Sequence, residues 1–305
     1  MGILNTAEVR PGIIAVLCKF LLSNDCSYDE GKIQTLIEPQ GIATKSSEFA
    51  QTVKEAETLK IIERKDGRIT LSEPFSTDLD SDFDNAKFVN LMRKQVLDES
   101  VNTKKTEKWA SQLGARELTN ALAFYMSIPY KKLPSGYDEY TALQQEFFGS
   151  ATPFDDEDGG KVSNWPFTNR ARLPAFRHWM VFLGFGWVSP KGILIPDPGV
   201  GIRSILEDLF SEEKTLTASD FRKRLGKQIP ILEEGKYRKF VESNYTEEKQ
   251  TALKSNSKQF SQATSMALRT LETRDTLKFH KPDDGKTPAL QLFDGETISR
   301  IEYKK

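Results

Sequence analysis

The side chains able to do chemistry in this 305-residue chain are few and widely spaced. A structural zinc site needs four nitrogen or sulfur ligands at close, regular intervals. The two histidines, His178 and His280, and the two cysteines, Cys18 and Cys26, form no C-x-x-C or H-x-x-x-H. No G-x-x-x-x-G-K-[ST] segment is present to cradle a phosphate. Gly199-Val200-Gly201 has two glycines of a dinucleotide turn but lacks the third and a parallel-sheet context, so it reads as a helix start after Pro198. The run Asp155-Asp156-Glu157-Asp158 offers hard oxygen ligands for a divalent cation. Lying within the loop-like stretch Gly149 to Gly160, it reads instead as a solvated acidic linker. His178 is a general-base type, but it stands on a helix with no nucleophile beside it and reads as a packed or surface histidine. The expectation is a protein without catalytic residues, bound metal or small-molecule cofactor.

Cationic and polar groups make a more coherent set. Lys45, Ser46, Ser47, Gln51 and Lys54 share one helix, Arg64, Lys65 and Arg68 flank a tight turn, and Lys281 and Lys286 lie in a later loop. A helix with polar side chains can enter a DNA groove, and cations on a hairpin can reach phosphates, so these ten residues are the candidate DNA contacts. Further cationic stripes run through Asn169, Arg170, Arg172, Arg177 and His178, and through Arg222, Lys223, Arg224 and Lys227. With 43 Lys+Arg against 44 Asp+Glu, the chain is not the basic body of a general nucleic-acid coat, so any DNA contact must be a local patch. The longest apolar stretch, Ile13 to Leu22, is broken by Lys19 and falls short of the roughly 20 residues a bilayer span needs. The cysteine usage suits reduced thiols, and a cytoplasmic location without membrane contact is expected. Met1 to Thr6 fits an N-myristoylation pattern, but so short a pattern arises often by chance.

The elements that position these groups show a repeated order. Ile13, Ile14, Val16, Leu17, Phe20 and Leu21 recur as one helical stripe. Asp29 to Ile37 reads as a second helix with Ile33, Leu36 and Ile37 inward. Lys45 to Thr58 reads as a third, with Phe49, Val53 and Ala56 buried and Gln51, Lys54 and Glu55 outside. Leu59 to Arg64 and Arg68 to Leu71 then flank Lys65-Asp66-Gly67, a strong hairpin signal. Helix-then-hairpin recurs in Asn169 to Leu183 with Trp187-Val188-Ser189 and Ile193 to Pro196. It recurs again in Ser257 to Glu272 with Thr276 to His280 and Ala289 to Phe293. Helices over Asp80–Asp98, Leu118–Ile128, Tyr140–Phe148, Val200–Phe210, Thr217–Gly226 and Lys236–Ser243 join them, and the dense aromatics Trp165 to Trp187 read as the core of the second unit. The expected fold is mainly α with short β-hairpins, as multiple winged-helix units joined by helical segments. The expected divisions are an N-terminal winged-helix domain (1–76), a helical connector with the acidic linker (77–160), a second winged-helix-like unit with a helical extension (161–250) and a third (251–305).

Several strings also resemble a known family. Gly2-Ile3-Leu4-Asn5, the span Trp179 to Trp187, Ile195-Pro196-Asp197-Pro198 and Ile229 to Gly235 together resemble the DpdG family. The resemblance implies bacterial systems that insert 7-deazaguanine derivatives in DNA and restrict DNA lacking them, and a place in the restriction arm beside helicase or nuclease subunits. It carries no catalytic residues. The expected function is a non-catalytic DNA-binding or adaptor subunit acting on double-stranded DNA. The alternatives are a scaffold that uses its winged-helix surfaces only against other subunits and a divalent-metal nuclease with an unrecognised site.

Overall fold

The computed structural model describes residues 3–5, 10–37, 48–80, 82–102, 115–150, 153–155, 161–163, 165–282 and 288–304. The chain is mainly helical with small antiparallel sheets, as the sequence pattern predicts. In order it forms α1 (Pro11–Leu22), β1 (Ser27–Asp29), α2 (Glu30–Ile37), α3 (Glu48–Thr58), β2 (Ile62–Lys65), β3 (Arg68–Leu71), α4 (Phe75–Asp78) and α5 (Asn85–Leu97). There follow α6 (Arg116–Tyr125), α7 (Tyr137–Phe148), β4 (Pro153–Asp155), β5 (Lys161–Ser163), α8 (Arg172–Phe182), β6 (Gly186–Val188), β7 (Leu194–Pro196), α9 (Gly199–Arg203) and α10 (Leu206–Leu209). The chain closes with β8 (Thr215–Thr217), α11 (Ala218–Gln228), α12 (Lys236–Ser243), α13 (Glu247–Ser255), α14 (Gln262–Thr273), β9 (Leu277–His280), β10 (Leu290–Gln291), β11 (Thr297–Ile298) and β12 (Arg300–Tyr303). No helix among the described residues is long and apolar enough to cross a membrane.

Two compact units divide this order, each built from two stretches: Met1–Leu118 with Asn169–Leu183, and Thr119–Thr168 with Gly184–Lys305. In the first unit α1 starts at Pro11, where a missing N–H costs nothing. It buries Ile14, Leu17, Cys18 and Leu21, the spacing of one helix face. Val16, expected in that stripe, lies nearly opposite it and is 57% exposed. Leu36, expected inward with Ile33, is 58% exposed in the last turn of α2. β1, which the sequence reading missed, pairs antiparallel with β3 (Tyr28↔Ile69), and β3 pairs with β2 (Arg64↔Ile69), giving the order β1-β3-β2. The β2–β3 turn has positive φ at Asp66 (51°) and Gly67 (72°), which a two-residue hairpin with the right twist requires. α8 completes this unit: Phe176, Trp179 and Met180 are fully buried, and the helix packs on α1 and the short turn Ile3–Asn5. Rings of Phe75, Phe83 and Phe182 gather around Phe88 at 5.0–6.2 Å.

The second unit has an aromatic centre of Phe124, Phe147, Phe148 and Tyr245, and the Tyr125 hydroxyl donates to the Leu194 carbonyl at 2.8 Å. Its three-stranded sheet runs β8-β12-β9, so here too the strand last in the chain lies between the other two. This corrects the third expected hairpin. Thr276 to His280 pairs with β12 (Phe279↔Ile301) and not with Ala289 to Phe293, whose Leu290–Gln291 pairs with β11. β12 alternates with Ile301 buried and matches β9 over four residues, whereas β10 and β11 close a two-residue ladder on themselves at Gly295 (φ 91°). β6 and β7 pair as expected, with Gly192 at φ 79° in the turn, and a helix does start after Pro198. The aromatics between Trp165 and Trp187 do not form one core: Phe176, Trp179 and Phe182 belong to the first unit, Trp165, Phe167, Phe185 and Trp187 to the second. The expected acidic linker is in part a strand pair, Asp155↔Lys161, while Asp156, Glu157 and Asp158 lie outside the described residues.

Candidate nucleic-acid interface

The candidate contacts in the first unit are set by α3 and the β2–β3 hairpin. Phe49, Thr52, Val53 and Ala56 bury one face of α3 and turn Lys54 outward, where it is exposed. Gln51 is half-buried, and its Oε1 has no hydrogen-bond partner among the described residues. Lys45, Ser46 and Ser47 lie outside the described residues. Glu55, expected on the outer face, is instead buried, because Thr52 widens the inward face toward it. Its Oε2 has no partner among the described residues, and burial pushes the carboxyl up from its ordinary 4.5 to about 7.

The hairpin cations differ in what holds them. Arg64 is clamped: its Nη2 and Nε donate to the two carboxylate oxygens of Glu30 at 2.7 and 3.2 Å, and its Nη1 lies 3.7 Å from Glu57. A two-pronged carboxylate bond takes up two of the five guanidinium N–H donors and offsets its charge. Arg68 reaches across to β1, donating to the Ser27 hydroxyl and carbonyl at 3.2 Å each, contacts that leave it exposed and without a neutralising partner there. Lys65 is exposed at the turn. Beside β2 lies a hollow of about 890 Å³ whose charged lining includes Glu57, Glu63, Glu73 and Asp98 against Lys60 and Arg64. That side repels phosphate. Of the candidate contacts in this unit, Lys65 and Arg68 at the tip and Lys54 on the outer face of α3 are exposed and outside that acidic hollow.

The other cations are dispersed. Lys281 belongs to the second unit, is 80% exposed and lies 3.8 Å from Glu296; Lys286 is outside the described residues. Arg172, assigned to a surface stripe, is buried and paired with Glu117 at 3.0 Å. Arg224 is held by Glu212, Glu213 and the Leu209 carbonyl, and Arg222 donates to the Ser257 carbonyl at 2.6 Å. Lys223 and Lys227 are exposed. Among the described residues no group of three or more His, Cys, Asp or Glu is arranged to hold a metal ion.

The sequence reading missed the part played by Ile229 to Gly235. This string is buried from Ile229 through Glu233, and its Pro230 carbonyl accepts from the backbone N–H of Tyr237 and Arg238 at 3.0 and 3.1 Å, fixing the start of α12. A Cβ on Gly235 would stand 2.4 Å from the Pro230 oxygen. Such closeness needs glycine.

In comparisons with known proteins, no curated protein and no solved structure matches. A family profile described as DpdG-like matches residues 1–285, a span that takes in all four strings quoted above, including the buried Ile229–Gly235 segment. The chain belongs to the DpdG-like family.

Proposed function

We propose that this chain is a non-catalytic, cytoplasmic subunit that engages double-stranded DNA within a bacterial Dpd modification and restriction system, beside subunits that supply helicase or nuclease chemistry. Family membership suggests the Dpd system. The observation that carries the DNA reading is the element order α1-β1-α2-α3-β2-β3 with the sheet order β1-β3-β2, which is how a winged helix is built. On this reading α3 is the recognition helix and Lys65 to Arg68 the wing tip. The β8-β12-β9 sheet with α11 and α14 supports a second winged-helix unit near the C-terminus.

The test is fluorescence anisotropy with a labelled duplex across salt. Binding through the tip and α3 gives an affinity that falls with salt by about 0.9 log units per phosphate contact for each tenfold rise. Substituting Lys54, Lys65 and Arg68 by alanine lowers both affinity and slope, by about one contact per residue. No binding at low salt overturns the reading.

A second reading, a scaffold that docks other subunits, is favoured by the clamped Arg64 and by exposed Val16 and Leu36 in the same unit. Affinity isolation from the native host, with and without nuclease treatment, separates the two: partners retained after DNA is removed support the scaffold. Incubation with plasmid and magnesium or manganese tests for catalysis, and cleavage abolished by a single carboxylate substitution overturns the non-catalytic assignment.

A further inference from the structure

The second unit contains a cavity of about 570 Å³ that no candidate DNA contact lines. Its lining holds Lys132, Arg222, Arg238, Lys249 and Lys254 against two carboxylates, Glu233 and Glu242. Both carboxylates are already engaged: Glu233 Oε1 accepts from the Ser261 N–H and hydroxyl at 3.1 and 2.8 Å, and Glu242 accepts from Arg238 Nε. Arg238 is 5% exposed, and its Nη1 is buried with no hydrogen-bond partner among the described residues. A buried charged donor without an acceptor is costly, and native proteins usually satisfy such a group with a partner or a ligand. The guanidinium is also held in place. Pro230 fixes the first turn of α12, and Gly226 packs so closely that a Cβ there would stand 2.6 Å from the Gly235 nitrogen. On the other side Lys132 and Lys249 converge on one oxygen of Glu146, so one carboxylate faces two ammonium groups. Phe147, Leu253 and Phe260 supply an apolar wall.

We propose that this cavity binds a phosphate monoester of about mononucleotide size, its phosphate taken by Arg238, Lys132 and Lys249 and its organic part laid against Phe147 and Phe260. The volume falls in the ordinary range of small-ligand sites. The cation surplus matches a phosphate monoester, which carries about −1.5 to −2 charges, better than a single carboxylate. The inference is independent of the DNA reading, since none of these residues lies on the wing or on α3.

Isothermal titration calorimetry on the full chain tests it with adenosine 5′-monophosphate, inorganic phosphate and adenosine as probes. Saturable binding of the monophosphate, competition by inorganic phosphate and no binding of adenosine are expected. Arg238→Gln weakens the monophosphate about tenfold or more, the loss typical of a charged hydrogen bond. That variant also strips half-buried Glu242 of its partner, so the double variant Lys132→Gln with Lys249→Gln, nearer solvent, gives a second measure with the same direction. The proposal is overturned if neither phosphate probe binds the parent at about 10 mM, a threshold weaker than 1 mM affinity. It is equally overturned if adenosine binds as tightly as the monophosphate, or if the double lysine variant binds it unchanged.

Discussion

Glu55 is a carboxyl whose folded environment favours the proton. Its folded value near 7 stands above the ordinary 4.5, so the folded state holds a proton that the unfolded chain releases through that window. The stability associated with that proton is complete below about pH 4.5, declines as pH rises toward 7 and is gone above it. Glu55→Gln keeps the shape and removes the charge. Its unfolding free energy from urea titration should match the parent near pH 4 and exceed it above pH 7, by on the order of 1–3 kcal/mol. A variant less stable than the parent at pH 8 would show that the ionised carboxylate has a partner. Arg64 gives a second prediction at this scale. Because Glu30 and Glu57 hold it, Arg64→Ala should weaken DNA binding less than Lys65→Ala. Freeing it with Glu30→Gln and Glu57→Gln should raise affinity by about two- to fivefold in the anisotropy assay, the scale of an exposed ion pair.

At the scale of elements, what was legible followed the buried stripes. α1 and α3 showed themselves because Ile14, Leu17 and Leu21, or Phe49, Val53 and Ala56, repeat at helical spacing, and β2–β3 because Asp66-Gly67 admits only a narrow set of turns. β1, β8 and β12 were missed: strands of three or four residues show hardly one period of alternation, and their partners lie far off in the chain, as Tyr28 and Ile69 do. α13 was missed because it buries no residue, so it leaves no stripe to read. The candidate site was legible in composition and not in pairing: nothing in the spacing announced that Glu30, at the start of α2, would clamp Arg64 on β2. The cavity in the second unit was invisible for the same reason, since Lys132 and Lys249 meet only through Glu146. The crossing of α11 with the turn before α12 makes its own prediction. Gly235→Ala must displace the Pro230 carbonyl and should cost about 1–3 kcal/mol, seen as a lower thermal midpoint.

For the whole molecule the divided make-up of the units governs what a fragment can do. Residues 1–118 carry α1 to α5 but not α8, whose Phe176 and Trp179 are fully buried in the same unit. A fragment ending at residue 118 should therefore keep helical far-UV dichroism while losing near-UV signal and binding a hydrophobic dye. A cooperative transition at the parent's midpoint would show that α8 is dispensable. During synthesis the consequence is one of timing. At roughly 5–20 residues per second the ribosome makes the N-terminal strands and helices well before α8 emerges. The first unit must wait, partly open, while the start of the second is already being extruded.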